Sequence, residues 1–104
     1  MVMAEFSIVP IGEGESLSGF VAEILALIDE SGLEYRLTPM GTIVEGRAEQ
    51  VFDLARACLA KGASLSERVS MSMKIDYRKG ELSRLAHKVD AVQAKLGRPL
   101  KTMG

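Results

Sequence analysis

From residue 2 to residue 8 every second side chain is apolar (Val2, Ala4, Phe6 and Ile8), and the side chains between them include Glu5 and Ser7, which is the pattern of a β-strand with one buried face. A longer run, residues 68 to 78, alternates in the same way and predicts a second long strand. Pro10 and Gly12 end the first run, because proline and glycine interrupt regular strands. The apolar side of the first strand carries Val2, Ala4, Phe6 and Ile8, and that of the later strand carries Val69, Met71, Met73, Ile75 and Tyr77.

Two stretches between these strands space their apolar residues as amphipathic helices do. The first ends at Gly32 and the second at Gly62, because a glycine readily adopts the backbone that stops a helix. Ser16 or Ser18 can cap the first helix through a side-chain hydroxyl. The predicted inward residues are Leu17, Phe20, Val21, Ile24, Leu25 and Ile28 in the first helix, and Val51, Phe52, Ala55, Cys58 and Leu59 in the second.

Two short strands, residues 34–37 and a strand from Thr42, complete the pattern and are joined by the turn Thr38-Pro39-Met40-Gly41. The order strand, helix, strand therefore occurs twice. It predicts an α+β fold, the ferredoxin-like split β-α-β sandwich (βαββαβ), with both helices on one face of a four-stranded sheet. An extra C-terminal helix over residues 82–96 follows Gly80. We expect a single domain over residues 1–104, with a core of about residues 2–96 and a short C-terminal tail.

Length and charge narrow the function. The chain has 104 residues and a formal net charge of -1, which removes the electrostatic case for binding nucleic acid. No apolar run approaches membrane-spanning length, and residues 1–6 lack the basic segment of an export signal. We therefore expect no nucleic-acid partner, no membrane partner and a cytoplasmic location. A single cysteine, Cys58, allows no intramolecular disulfide, which suits a reducing compartment.

Catalytic and metal-binding motifs are sparse. His87 and Cys58 are the only residues of their types and lie far apart, so we expect no metal site. Gly12-Glu13-Gly14-Glu15 precedes a helix, but its acids would repel phosphate and no Lys-Ser or Lys-Thr follows. One histidine also gives no basis for Ser-His-Asp or Cys-His catalysis. We expect no enzyme activity and no cofactor, with Cys58 as a buried structural thiol.

The face of the predicted sheet without helices is the informative surface. Its small hydroxyl residues leave room for something flat, although exposure to water is the simpler interpretation for any one of them. A domain this small gains stability by packing such a face against a second copy, so we expect a homo-oligomer. The outward residues are Glu5, Ser7, Arg36, Ser70, Ser72, Lys74 and Asp76, with Ile43 and Glu45 on the same side and Thr42 near the hairpin.

Several local strings occur in a characteristic order and spacing. They are Ala4-Glu5-Phe6-Ser7-Ile8-Val9-Pro10, Ser31-Gly32-Leu33-Glu34-Tyr35, Pro39-Met40-Gly41-Thr42, Glu45-Gly46, Arg68-Val69 and Lys74-Ile75-Asp76-Tyr77-Arg78. Together they resemble the small thiamine-binding protein family over roughly residues 3 to 96. The resemblance implies a ferredoxin-like fold, dimers that pair into tetramers and, in some members, binding of thiamine or its hydroxymethylpyrimidine part.

The predicted outer face offers groups suited to such a ligand. Glu45 or Asp76 can offset the thiazolium cation or accept a hydrogen bond from the exocyclic amine. Ser7, Thr42 and Ser72 can supply the neutral hydrogen bonds that fix its orientation. These five residues are the candidate ligand-binding residues.

Three interpretations of function follow. The leading one is a non-enzymatic small-molecule binding protein that holds thiamine or hydroxymethylpyrimidine at the sheet face or subunit interface of a homo-oligomer. The alternative is an oligomeric assembly or regulatory module with no thiamine affinity. A third, a small isomerase or oxygenase, would need a proton-transfer group in a dry pocket, for which Glu45 is the nearest candidate.

Overall fold

The computed structural model describes residues 1–12 and 17–80, together with residues 95 and 97. Its elements are β1 (Val2–Pro10), α1 (Leu17–Glu30), β2 (Glu34–Thr38), β3 (Gly41–Gly46), α2 (Ala48–Leu65) and β4 (Val69–Tyr77). The strands form one antiparallel sheet in the order β2-β3-β1-β4. This arrangement confirms the ferredoxin-like fold that the sequence predicts. The predicted C-terminal helix, residues 82–96, falls outside the described residues except for residue 95.

The core lies between the two helices and one face of the sheet, which we call the inner face. Alternation in β1 is as predicted: Phe6 is 3% exposed and Ala4 is fully buried, whereas the intervening Glu5 is exposed. Burying a large apolar side chain such as Phe6 stabilises the fold by about 1.5–3 kcal/mol relative to leaving it in water. The helices contribute Phe20, Ile24, Ile28, Val51, Leu54 and Cys58 to the same core.

α2 turns a different face to the core from the one that the sequence predicts. Phe52 and Leu59 are 47% and 46% exposed, so their prediction as inward residues is wrong. The buried stripe instead passes through Val51, Leu54 and Cys58, at intervals of three and four residues. Phe52 and Leu59 each follow a member of that stripe by one residue, which places them about 100° further round the helix.

α2 also continues past Gly62, its predicted end, as far as Leu65. Gly62 is buried inside the helix, where an added Cβ would lie 3.1 Å from the Phe20 ring and 3.2 Å from Ile8 Cδ1. The glycine therefore allows α2 to approach α1 and β1 closely. It does not stop the helix.

The two ends of α1 differ in how well the sequence predicts them. The helix begins at Leu17, so Ser18 lies inside it and is not its cap, while Ser16 lies outside the described residues. The C-terminal end is as predicted: Gly32 has φ +77° and its N–H donates to the carbonyl of Asp29 at 3.4 Å. Such left-handed backbone is costly for a residue with a Cβ, which explains the glycine.

The hairpin between β2 and β3 is held by its own side chains. The Thr38 hydroxyl accepts hydrogen bonds from the N–H groups of Met40 at 3.2 Å and Gly41 at 3.1 Å, and donates to the Gly41 carbonyl at 2.8 Å. A Cβ on Gly41 would lie 2.9 Å from the carbonyl oxygen of Phe6 on β1. Glycine is therefore needed at this position because the hairpin end packs directly against the neighbouring strand.

Candidate functional site

Strand register places the polar residues of all four strands on the outer face, the side of the sheet opposite α1 and α2. Glu5 lies between Lys74 of β4 and Ile43 of β3, and Ile43 in turn lies opposite Arg36 of β2. Directly opposed residues in an antiparallel sheet share a face, so these four residues form one row across the sheet. The next row towards the N-terminal end of β1 contains Glu34, Glu45, Met3 and Asp76. The predicted placement of Ile43 and Glu45 on the outer face is confirmed.

Ser7 and Ser72 come together in a depression on this face. Their hydroxyl oxygens are 3.0 Å apart, and the two residues are directly opposed on β1 and β4. The depression has a volume of about 180 Å³ and is lined by Glu5, Phe6, Ser7, Met40, Ser72, Met73 and Lys74. Two of the five candidate residues therefore form a contact, in a depression that also holds a carboxylate and an ammonium group.

The chemistry of the depression suits a polar heteroaromatic ligand. Either serine hydroxyl can donate to the other, so the pair leaves one donor and further acceptor positions for a third group. Glu5 offers a carboxylate directly opposite Lys74, and both residues line the depression. Such a site can bind a donor-and-acceptor edge through the serines and a cation through Glu5.

Glu45 and Asp76 lie apart from the two serines. They flank Met3 on its two neighbouring strands, which separates them by roughly 10 Å at ordinary strand spacing. Asp76 is four residues along β4 from Ser72, a distance of about 13 Å. Glu45 is only 4% exposed, whereas Asp76 is exposed. Their roles as ligand residues stay predictions, and the described structure does not bring either of them to the serine pair.

Thr42 lies on the opposite side of the sheet from the other four candidates. It is opposed to Phe6 of β1, an inner-face residue, and is 7% exposed. A one-residue step along a strand reverses the face, so Ile43 points outward and Thr42 inward. The structure therefore does not bring Thr42 to Ser7 and Ser72.

Only Ser7 and Ser72 of the seven residues that line the depression are among the candidate ligand residues, and two of the other five, Glu5 and Met40, bear on its chemistry and shape. Glu5 is among the predicted outward residues but not among the candidate ligand residues, although it is the carboxylate nearest the serine pair along β1. Met40 is 85% exposed at the tip of the hairpin, and only the short Pro39-Met40 loop hints at its position. The length of that loop is the signal that could have identified Met40, because a two-residue turn holds its side chains close to the adjoining strands.

The outer face carries more acids than bases among its strand residues. Its carboxylates are Glu5, Glu34, Glu45 and Asp76, and its cationic groups are Arg36 and Lys74. An excess of one charge over a surface raises the local concentration of the opposite charge. The outer face therefore favours a cationic ligand over an anionic one.

Two titratable groups on the inner side have structural roles. Cys58 is fully buried, and the loss of hydration on burial raises the pKa of its thiol to about 11, as expected for a structural thiol and not a nucleophile. Tyr35 lies opposite Val44 on the inner face and donates its hydroxyl to Asp29 Oδ1 at 2.8 Å. That hydrogen bond and the nearby negative charge raise the pKa of Tyr35, because both favour the protonated phenol.

The described residues contain no group of three or more His, Cys, Asp or Glu side chains placed to hold a metal ion. Within the same part of the chain, neither helix combines the length and the apolar character that crossing a membrane would require.

Comparison with known proteins places the chain among relatives of the same length. A UPF0045 protein of Mycobacterium bovis is 31% identical over 99 residues, covering 94% of this chain and 97% of the relative. The UPF0045 protein YqgV of Bacillus subtilis is 31% identical over 105 residues, covering 92% and 98% of the two chains.

Solved structures share the fold. The crystal structure of a hypothetical protein from Methanocaldococcus jannaschii superposes with a TM-score of 0.78 at 30% identity, covering 88% of this chain and 94% of that one. A structure from Thermotoga maritima, described as a candidate thiamine biosynthesis/salvage protein, has a TM-score of 0.76 at 24% identity and covers 88% and 97%. The sequence model of the thiamine-binding protein family matches residues 4–93. The chain therefore belongs to the thiamine-binding protein family.

Proposed function

We propose that this protein is a cytoplasmic, non-enzymatic binding protein for thiamine or its hydroxymethylpyrimidine part. The observation that carries the proposal is the contact between Ser7 and Ser72 in an outer-face depression that also holds Glu5. The aminopyrimidine of thiamine has adjacent donors and acceptors that a pair of hydroxyls can satisfy. Membership of the family and the description of the Thermotoga maritima relative support a thiamine-related ligand.

The charge of the outer face supports the same ligand. Thiamine is a permanent cation, and the strand residues of this face carry four carboxylates against two cationic groups. Glu5 can accept a hydrogen bond from the exocyclic amine or offset the thiazolium charge. Asp76, in the neighbouring row, adds to the negative potential without reaching the serines.

The size of the depression supports a site completed by a second copy of the chain. Small-molecule pockets usually measure about 300–1,000 Å³ and cover most of their ligand. At about 180 Å³, the depression can hold only part of thiamine. A second outer face packed against the first would enclose the rest, as the predicted homo-oligomer requires.

A thermal-unfolding titration with thiamine, hydroxymethylpyrimidine and a choline control tests the proposal at fixed protein concentration. A ligand that binds only the native state raises the midpoint as its concentration passes the dissociation constant. We expect thiamine and hydroxymethylpyrimidine to raise the midpoint and choline to leave it unchanged. An unchanged midpoint with both would contradict the proposal.

The Ser72→Ala variant tests whether thiamine binds in the depression. Losing one hydrogen bond of about 1 kcal/mol should weaken thiamine binding roughly fivefold. Ser70→Ala is the matched control, because Ser70 lies on the same strand and face but opposite Val9, outside the depression. Equal affinity of the two variants would place the ligand elsewhere.

One observation favours the alternative, an assembly or regulatory module without thiamine affinity. Small serines beside the exposed side chains of Val9 and Met40 make a surface that a flat protein partner could cover. This alternative predicts a tight homo-oligomer whose stability and sedimentation do not change with thiamine.

A further inference from the structure

A second cleft lies on the inner side of the sheet, between α1 and the β2–β3 hairpin. Its volume is about 400 Å³, within the usual range for small-molecule pockets. The wall from α1 consists of Val21, Ile24 and Leu25, and the remaining lining comes from Phe6, Ser7, Ile8 and Val9 of β1 and from Leu37, Thr38, Pro39, Met40, Gly41 and Thr42 of the hairpin. None of these residues carries a charge.

The cleft opens where β1 continues beyond the end of β3. The pairing of these strands runs from Val2 opposite Gly46 to Phe6 opposite Thr42, and β3 begins at Gly41. β1 continues to Pro10, paired on its other side with β4 throughout. The hairpin therefore leaves a notch in the sheet beside the last residues of β1.

The pattern of backbone hydrogen bonds between β1 and β4 shows which backbone groups of β1 face the notch. The Ile11 N–H donates to the Arg68 carbonyl at 2.8 Å, and the Arg78 N–H donates to the Met1 carbonyl at 3.1 Å. In an antiparallel strand the N–H and C=O of one residue point the same way and alternate along the chain. Odd-numbered residues of β1 thus bond to β4, and even-numbered residues point towards β3. This agrees with the close approach of the Phe6 carbonyl to Gly41 of β3.

Ile8 is the even-numbered residue at the notch. Its N–H and C=O point towards the side of β1 on which β3 lies, but β3 pairs with β1 only as far as Phe6. Ile8 also lines the cleft. The next even-numbered residue is Pro10, which has no N–H and therefore leaves no unpaired donor. Proline in a sheet is usually found at such an unpaired edge. A buried backbone donor and acceptor normally have partners, so Ile8 presents an adjacent donor and acceptor to whatever occupies the cleft.

The hydroxyl of Thr42 adds a third polar group to the cleft. Thr42 is only 7% exposed, and its side chain forms no hydrogen bond within residues 1–12 and 17–80. A buried hydroxyl without a partner is unfavourable, whereas one that bonds a ligand is not.

We propose that this cleft is a binding site for a neutral, flat, largely apolar molecule that carries an adjacent hydrogen-bond donor and acceptor, as a lactam does. The Ile8 N–H donates to the carbonyl of the ligand and the Ile8 C=O accepts from its N–H, continuing the sheet in place of β3. Thr42 contributes a further hydrogen bond, and the apolar walls cover the ring. A charged ligand is disfavoured because none of the described residues that line the cleft carries a charge to compensate the loss of its hydration.

This site goes beyond the proposed thiamine site and does not rest on it. It lies on the opposite side of the sheet, and the uncharged lining selects against the thiazolium cation that the outer face attracts. The two sites therefore predict ligands of different charge, so each can fail without the other.

A matched pair of probes tests the cleft with the full chain. The probes are 2-quinolone, which carries the lactam N–H beside its carbonyl, and N-methyl-2-quinolone, which lacks the N–H. Binding is followed by the amide signals of isotope-labelled protein, that of Ile8 above all. We expect saturable binding of 2-quinolone with a shifted Ile8 amide, and binding of the N-methyl compound at least roughly fivefold weaker, as one lost hydrogen bond implies.

Two helix variants locate the probe. Val21→Trp fills the cleft from α1, whereas Ala22→Trp places the same side chain on the exposed neighbouring position. The first should abolish 2-quinolone binding and the second should leave it unchanged. No binding of 2-quinolone, equal binding of both probes, or equal binding to both variants would overturn the proposal.

Discussion

The two sides of the sheet near the hairpin differ in charge although they share residues. Ser7 and Met40 line both the outer depression and the inner cleft, yet the depression adds Glu5 and Lys74 while the cleft adds only uncharged residues. Side chains of consecutive strand residues point to opposite faces, so one strand can supply two environments a few ångströms apart. Ligand charge, more than ligand shape, therefore distinguishes the two candidate sites.

The same alternation makes the two sides unequal in stability. Inner-face residues of β1 belong to the core, whereas outer-face residues contact solvent. Changes on the inner face should therefore act mainly on folding, and changes on the outer face mainly on ligand binding.

Phe6→Ala and Ser7→Ala, one residue apart on β1, compare the two faces directly. Phe6 is 3% exposed in the core, so its truncation should lower the free energy of unfolding by about 3–5 kcal/mol. Ser7→Ala removes an exposed hydroxyl contact and should change it by about 0.5 kcal/mol or less. Urea denaturation measures both, and comparable losses would contradict the assignment of the faces.

Gly41→Ala tests the packing that forms the notch. The added Cβ would lie 2.9 Å from the Phe6 carbonyl, so the hairpin must shift away from β1, and we expect a loss of about 2–3 kcal/mol in the free energy of unfolding. Gly12→Ala is the control, because Gly12 has φ +128° with nothing within 4 Å. It should cost only about 1 kcal/mol of backbone strain. Equal losses in the free energy of unfolding would show that the backbone angle φ, and not the contact with Phe6, determines the cost of adding a Cβ.

Burial of Cys58 should make the free energy of unfolding depend on pH in the alkaline range. Burial raises the pKa of its thiol from 9.0 to about 11, so between these values the unfolded chain releases a proton that the folded chain keeps. The stability that this thiol contributes is therefore complete below pH 9 and is lost as pH rises through about 11. Cys58→Ala lowers stability at neutral pH, but the difference between wild type and variant should narrow over this range. A constant difference would contradict the burial of the thiol.

The smallest expected effect is a change in the pKa of Tyr35, which lies on the inner face. Its hydroxyl donates to Asp29, and both the bond and the carboxylate charge raise the pKa of Tyr35. Asp29→Asn removes that charge, so the pKa of Tyr35 should move down towards its ordinary value. Ultraviolet absorbance of the phenolate, measured in a Tyr77→Phe background, follows Tyr35 alone because the chain has two tyrosines. An unmoved titration would show that the hydrogen bond is absent in solution.

Regular alternation made most of the fold predictable. β4 alternates apolar and polar residues over its nine positions, β1 does so except at Met3 and Val9, and the amphipathic spacing of the two helices between the strands indicates the order of elements. The orientation of α2 was not predictable from apolar spacing alone. Phe52 and Leu59 are apolar in sequence and exposed in the structure, so they widen the apparent stripe beyond the face that packs.

The candidate sites were harder to predict because they depend on how far each strand extends. Ser7 and Ser72 meet since the register of β1 and β4 opposes them, a relation that alternation suggests but does not fix. The inner cleft exists because β3 begins at Gly41 while β1 continues to Pro10. Pro10 is the residue whose missing N–H marks that edge in the sequence, but a proline alone does not show which strand stops short.

The amide signals of the labelled protein, recorded as thiamine is added, show on which side of the sheet thiamine binds. We expect thiamine to shift the signals of Ser7, Ser72 and Lys74 around the outer depression, with those of Val21 and Leu25 on α1 unchanged. Shifts confined to α1 and the hairpin, or no saturable shift at all, would contradict the assignment of thiamine to the outer face.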